Sequence, residues 1–178
     1  MMNIRIAALL VLLSWGSSQA ATVSLYPDSS TVNVGDLLPI DIIGSEFIEL
    51  NSGIIDLGMD AGLQVHSVTI NPYWDLADSG YAQSPAIWSD IQFDTLLNPP
   101  VSGDVTIGTV VFEALSPGHS VLSILNSSEF YSPFDTIVPD AIDSQVSIAA
   151  VPLPPAALLF VFGLVWMLRL SGSDITRF

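Results

Sequence analysis

The chain has 178 residues, of which 18 are acidic, three are arginine and none is lysine. A formal net charge of −15 and the absence of cysteine exclude a disulfide framework, a thiolate metal site, a cysteine nucleophile and polyanionic partners such as nucleic acid. The mean hydropathy of +0.59 is high for a soluble chain, and two apolar runs at the termini account for much of it.

At the N-terminus, Arg5 precedes the apolar run Ile6 to Leu13, and small polar residues follow up to Ser18-Gln19-Ala20. As a helix the run reaches only about 12 Å, too short for a bilayer core of about 30 Å. Basic, apolar and small-residue regions in this order predict a signal peptide over 1–20, cleaved after Ala20.

Residues 22–150 read as one domain rich in β-strands. Strands are predicted at Val23–Pro27, Leu38–Gly44, Gly53–Asp60, Leu63–Ile70, Asp104–Ala114, Val121–Leu125 and Gln145–Ile148. Their apolar residues alternate, as in Leu38, Ile40 and Ile42, or Ile55, Leu57 and Met59. Asp56 and Asp60 then share the opposite face of one strand, about 13 Å apart, too far for a single metal or a retaining carboxylate pair. Ser116-Pro117-Gly118-His119 is a turn, with proline setting φ and glycine tolerating positive φ. The segment from Tyr73 to Val101 carries Pro85, Pro99 and Pro100 and is predicted to hold one or two strands, for example Ile87–Phe93, among longer loops. Many short strands with regular turns argue for an all-β sandwich.

Several of these segments carry a family resemblance. They are Val34-Gly35-Asp36 after the first strand, Ile40-Asp41-Ile42, Gly53 to Met59, Leu63 to Ile70, and the strand-turn Ile107 to Gly118. In this order they resemble a cohesin-type domain over residues 21–150. That resemblance implies a jelly-roll-like sandwich of about nine strands. It also implies a binding module that docks a calcium-loaded dockerin through one sheet face.

At the C-terminus, Val151-Pro152-Leu153-Pro154-Pro155 forms a stiff linker into the apolar run Ala156 to Leu168, closed by Arg169. The proline-free run spans about 20 Å as a helix. Trp166 and Arg169 stand where an interfacial ring and a snorkelling cation belong. All three arginines, Arg5, Arg169 and Arg177, lie outside the middle of the chain, which holds 17 of the acidic residues. Both tips in the cytoplasm and the middle outside satisfy that distribution. Residues 151–178 resemble a PEP-CTERM sorting tail in its Val-Pro-Leu-Pro form, with a single arginine after the helix. The resemblance implies that an exosortase-type enzyme recognises Val151, Pro152, Leu153 and Pro154. It also implies an exported protein of a Gram-negative bacterium, first anchored in the inner membrane and then at the cell surface or in an extracellular matrix.

Three sets of residues are candidates for further chemistry. Tyr73, Trp74, Tyr81 and Trp88 cluster in the loop-rich segment, where exposed rings stack on sugars, which makes a carbohydrate-binding module for a surface polysaccharide the first alternative. Asp75, Asp78 and Asp90 lie in the same segment and with backbone carbonyls are candidate calcium ligands, although no EF-hand spacing is present. His66 and His119 are solitary, and no strand-turn-helix serine elbow accompanies them, which leaves a small surface hydrolase as the lesser alternative. Without lysine, cysteine or a domain arginine, Schiff-base, thiol and phosphate chemistry have no carrier. The expectation is a non-enzymatic binding protein with no resident cofactor.

Overall fold

Alternating burial follows the alternating sequence from the first strand onward. In β1 (Thr22–Pro27), Val23 and Leu25 are buried between half-buried neighbours. After the short β2 (Thr31–Asn33), β3 (Leu37–Leu50) buries Leu38, Ile40 and Ile42. β4 (Ser52–Met59) and β5 (Leu63–Ile70) continue the pattern. β6 (Leu76–Ser84) and β7 (Ile87–Asp94) form a hairpin turning at Pro85-Ala86. β8 (Val101–Ala114) and β9 (Gly118–Ile124) flank the turn through Ser116-Pro117. Four strands close the chain: β10 (Glu129–Tyr131), β11 (Thr136–Ile137), β12 (Asp140–Ile142) and β13 (Ser144–Ala149).

This computed structural model describes residues 20–151 and, in the C-terminal apolar run, Phe160, Phe162 and Trp166, whose backbone is helical. The segment expected as a signal peptide up to Gln19, and Pro152, Leu153, Pro154 and Arg169 of the expected sorting tail, lie outside the described residues. Among the described residues no helix is long and apolar enough to cross a membrane.

The strands form two sheets. One has the order β12-β1-β3-β8-β5, and the other the order β11-β10-β4-β9-β13-β2, with β7 added on β4 and β6 on β7. Most pairs are antiparallel, but β1 pairs parallel with β12 and β2 parallel with β13, so both ends of the domain are held inside ladders. The long pair β3 and β8 is bent by register shifts where Glu46 and Glu49 take φ of 59° and 53°. Those bulges bring Phe47 and Leu50 to the core side.

The core lies between the sheets. Its distal half is aromatic: Trp74 packs on Phe93 at 4.6 Å between ring centroids, Phe93 on Phe130 at 6.2 Å, and Phe130 on Phe47 at 5.8 Å. All four are buried.

Two expectations are corrected here, and one, the one or two strands between Tyr73 and Val101, is met at its upper bound. The strand predicted to reach Asp60 ends at Met59, and Asp60 lies beyond it, where its carboxylate accepts the Val121 N–H at 2.9 Å. Asp56 and Asp60 therefore do not share a strand face. The segment from Tyr73 to Val101 holds two full strands, β6 and β7. Among the described residues thirteen strands replace the nine or so of the resemblance, because short pairings such as β2, β10, β11 and β12 are added.

With no lysine or arginine in residues 22–150, the carboxylates are met by N–H and O–H donors instead. Asp36 accepts from Asn33 N at 2.8 Å, Asp41 from Thr109 Oγ1 at 2.6 Å, and Asp75 from Leu97 N at 2.7 Å. The longer-range electrostatics of the domain are then almost purely repulsive. Sodium chloride is expected to raise the thermal midpoint as the Debye length shrinks from about 30 Å at 0.01 M to about 3 Å at 1 M. A relief on the order of 1 kcal/mol corresponds to about 4 °C. A midpoint that stays flat or falls with salt would contradict this.

Candidate binding face

The strands β6, β7, β4 and β9 lie side by side, and their outer face is open. β4 turns Ile55 and Leu57 inward and Ile54 and Asp56 outward. β7 sends Ile91 and Phe93 inward and Gln92 and Asp94 outward, and β9 sends Leu122 and Ile124 inward and Val121 and Ser123 outward. The face mixes polar and small apolar side chains and contains no basic residue.

A bulge organises its centre. Ile55 pairs with Ile91 but Leu57 pairs with Trp88, so Ser89 and Asp90 together oppose Asp56. Asp90 takes a left-handed φ of 60° to make the extra step. Its N–H donates to Asp56 Oδ1 at 2.9 Å, and Ser127 Oγ–H donates to the other oxygen of the same carboxylate. The Asp56 N–H donates to Ser128 Oγ at 2.9 Å. One carboxylate thus ties β4, β7 and the turn after β9 together.

The neighbouring strand carries a second irregularity. Gly80 has φ of +71°, and its N–H donates to Asp78 Oδ1 at 2.9 Å. A Cβ there would lie 2.3 Å from the Ser89 carbonyl oxygen, so β6 can approach β7 this closely only with glycine. Next to it, Tyr81 is exposed and its phenol faces Asp90. Hydrogen bonding to the Asp90 carboxylate, and then that carboxylate's charge, raises the phenol above its ordinary pKa of 10.0.

The Tyr81 shift gives a pH expectation with a definite sign. The folded state holds the phenol proton more tightly than the unfolded chain. The contribution is complete below pH of about 10 and is lost as pH rises through the folded value. In a phenolate absorbance titration, Asp90→Asn is expected to lower the titration of Tyr81 toward its ordinary value, and Tyr81→Phe identifies that step by removing it. An unchanged titration in Asp90→Asn would sink the assignment. Tyr131 is raised similarly by its hydrogen bond to Glu129 and serves as the internal comparison.

Of the four candidate sugar-stacking aromatics, Tyr73 and Trp74 pack edge to face on each other, and Trp88 and Tyr81 stand elsewhere on the sheet. Trp74 is buried, 4% exposed, with its ring edge-on to Tyr73 at 5.7 Å and tilted on Phe93, so no free ring face remains for a sugar. Its Nε1 has no partner among the described residues. Tyr73 is half-buried and donates its hydroxyl to the Pro99 carbonyl at 2.6 Å. Trp88 pairs with the fully buried Leu57 and so leaves the sheet on its core side, where Nε1 donates to the Ser79 carbonyl at 2.7 Å. Only Tyr81 of the four stands on the outer face.

The acidic trio does not converge either. Asp75 clamps Leu97 and Asn98, Asp78 closes the Gly80 turn and Asp90 faces Tyr81. Among the described residues no three histidine, aspartate or glutamate side chains come together as metal ligands. His66 is exposed at a bulge of β5, and His119 Nδ1 lies 3.1 Å from Ser147 Oγ. No carboxylate is hydrogen-bonded to either histidine among the described residues, so the Ser147–His119 pair lacks the third member a triad needs.

Two grooves border the face. One of ≈ 330 Å³ crosses its distal half between Tyr131, Ile54, Gln92, Asp94 and Leu76. The other, of ≈ 550 Å³, is more apolar and opens between β5 and the β6–β7 turn, with Leu63, Val65, Trp88 and Leu115 in its walls.

No protein-family model matches the chain, and no curated protein matches it. Solved structures do. A type I cohesin–dockerin complex from Clostridium thermocellum aligns with a TM-score of 0.64 at 14% identity, over 74% of this chain and 95% of that one. A non-cellulosomal cohesin from the hyperthermophilic archaeon Archaeoglobus fulgidus aligns at 0.61 and 14%, over 74% and 92%. The domain has a cohesin-like fold. The cohesin module of a family 33 glycoside hydrolase from Clostridium perfringens shares it, at 0.62 and 14%, over 74% of this chain and 97% of that one. Within the cohesin-like domain, Asp56, Asp90 and Tyr81 become neighbours through strand pairing alone. Sequence reasoning missed this group because β6 and the bulge at Asp90 were not foreseen.

Proposed function

We propose that the cohesin-like domain is a non-enzymatic protein-binding module that docks its partner on the outer face of β6, β7, β4 and β9. The observation that carries this reading is the face itself. It is four strands wide, uncovered, and tied across β4, β7 and the turn after β9 by the Asp56 hydrogen bonds, on a fold whose solved relatives include cohesin–dockerin complexes. Cohesin-like fold and open sheet face together favour a dockerin-like partner. The full chain is expected to capture a calcium-dependent partner from its host's exported proteins and to release it when calcium is chelated. Ile54→Arg combined with Gln92→Arg, both in the middle of the face, is expected to abolish capture. Capture indifferent to both substitutions would overturn the face assignment. Tyr81, exposed beside a carboxylate, supports a second reading in which a surface polysaccharide binds the same face. Glycan retention lost in Tyr81→Ala would favour it.

The domain is delivered by a signal peptide ending at Ala20 and held at the inner membrane by the apolar run after Val151. An exosortase-type enzyme then releases or transfers it at Val151 to Pro154, giving a surface or matrix protein. Support comes from the arginines, which lie only at the two ends of the chain, and from the Val-Pro-Leu-Pro sequence ahead of the apolar run. A mass spectrum of the protein from its native host is the test. A chain starting at Ala21 and ending between Val151 and Pro155, found outside the cell, is expected. A membrane-bound chain intact to Phe178 would leave a plain anchor and no sorting.

A further inference from the structure

The end of the sandwich opposite the C-terminal exit exposes large apolar side chains. Leu97 and Phe134 are each 89% exposed, and Ile48, Leu96 and Leu76 in the segments that meet at this end also have more than half their surface in water. Hydrogen bonds bring their loops together: Thr95 N donates to Asn51 O at 2.9 Å and Asn51 N to Tyr131 O at 2.8 Å. The loops are also held in shape. Asp75 accepts the Leu97 and Asn98 N–H groups, and Ser132 Oγ accepts the Asp135 N–H at 3.0 Å. The exposure is therefore a feature of fixed loops, and a clustered apolar surface of this kind marks an interaction site.

Its position is informative. The chain leaves the sandwich after Ala149, whose carbonyl accepts the Val34 N–H just before β3 begins at Leu37. Leu50, at the other end of the 14-residue β3, adjoins the apolar tip. Fourteen residues of strand span about 40 Å. The tip thus lies at the opposite end of β3 from the point where the chain leaves the sandwich after Ala149.

Charge identifies the occupant. The groove under the tip holds Asp78 and Asp94, Glu129 pairs across the ladder with Ile54 in its wall, and residues 22–150 offer no lysine or arginine. Among the described residues Asp94 has only a long contact from Asn51 Nδ2, at 3.4 Å, so its carboxylate is available to a cation. A second copy of this domain would set like charges against each other, and anionic lipid would be repelled. We propose that the tip binds a protein segment in which lysine or arginine alternates with large apolar residues. Apolar side chains rest on Leu97 and Phe134, and a cationic group enters the groove at Asp94. This rests on the reading of the domain as a protein-binding module and places the anchoring contact at the tip rather than at the centre of the sheet face.

The test uses the full chain in nanodiscs of zwitterionic lipid, with empty nanodiscs as the blank. The probe is a peptide of alternating leucine and lysine, compared with a leucine–glutamate peptide of the same pattern. Carbodiimide coupling maps the contact, because the domain has no lysine to compete for its own carboxylates. Expected are links at Asp78, Asp94, Glu129 or Asp135, no binding of the leucine–glutamate peptide, and roughly tenfold weaker binding in Leu97→Ser/Phe134→Ser. Both substituted positions are so exposed that the fold is retained. Absent binding, binding unchanged by the double substitution, or equal binding of the acidic peptide would overturn the proposal. Links confined to Asp56 and Asp90 would overturn the tip while leaving the sheet-face reading standing. Because Ile54 and Gln92 also line the groove under the tip, the sheet-face reading is tested separately by host-partner capture in Tyr81→Arg/Ser123→Arg, two positions on the face outside that groove.

Discussion

Phe93→Ala is expected to destabilise the domain by about 3–5 kcal/mol, the cost typical of removing a fully buried ring. Phe93 is 2% exposed and links Trp74 to Phe130, so its loss opens a cavity in the middle of the aromatic half of the core. The β4 backbone has little room to collapse into it. Gly53 packs so closely that a Cβ there would lie 2.6 Å from the Phe93 ring, and the Glu129 carbonyl stands at 3.0 Å on the same side. At about 3–4 °C per kcal/mol, the thermal midpoint falls on the order of 10–20 °C. Urea and thermal unfolding measure the loss, and the near-ultraviolet signal of Trp74 reports the local change. A cost below about 1 kcal/mol would mean that the site repacks and that the aromatic chain does not hold the sheets together.

Asp56→Ala and Asp56→Asn are expected to differ in sign or nearly so. Alanine leaves the Asp90 N–H without its acceptor at 2.9 Å, inside a bulge where that residue already holds a left-handed φ of 60°. It also frees Ser127 from the turn after β9. An unsatisfied, partly buried donor costs about 1–3 kcal/mol. Removing one negative charge from an all-acidic domain offsets part of that. Asparagine keeps an oxygen acceptor for the Asp90 N–H and removes the same charge, so its change is expected within about 1 kcal/mol of zero. Denaturant unfolding of the two variants gives the order. Equal destabilisation would show that charge rather than the hydrogen bond matters at Asp56. Because Asp56 also contributes to the raised Tyr81 pKa, either variant is expected to lower that titration slightly.

The parts of this fold legible in the sequence are those where one face is buried and the other wet. Leu38, Ile40 and Ile42, or Ile55, Leu57 and Met59, alternate because their strands lie on a core, and each of these residues is buried. β6 lacked that signal because it is an edge strand exposed along nearly its whole length, so nothing selects an alternation of apolar residues. Its glycine at position 80 is explained only by the approach of the Ser89 carbonyl from the next strand. For Trp74, in a proline-rich segment without alternation, the sequence does not distinguish a packed ring from an exposed one. A local turn, with Tyr73 N–H donating to Asn71 Oδ1 and Trp74 N–H to Asn71 O, swings it into the core.

Composition by itself determined that the domain carries no nucleic-acid, thiol or Schiff-base chemistry, because the side chains for it are missing. Local periodicity determined the β-class, because burial on one face of a strand writes a period of two into the chain. Tertiary structure decided which acidic and aromatic residues meet. The left-handed step at Asp90 sets Trp88 on the core side and brings Asp56, Asp90 and Tyr81 together on the open face. Pairings across 34 residues, such as Asp56 with Asp90, and across 44, such as Asn51 with Thr95, built the face and the tip. Contacts at that separation depend on how the sheets stack, and no local pattern encodes them.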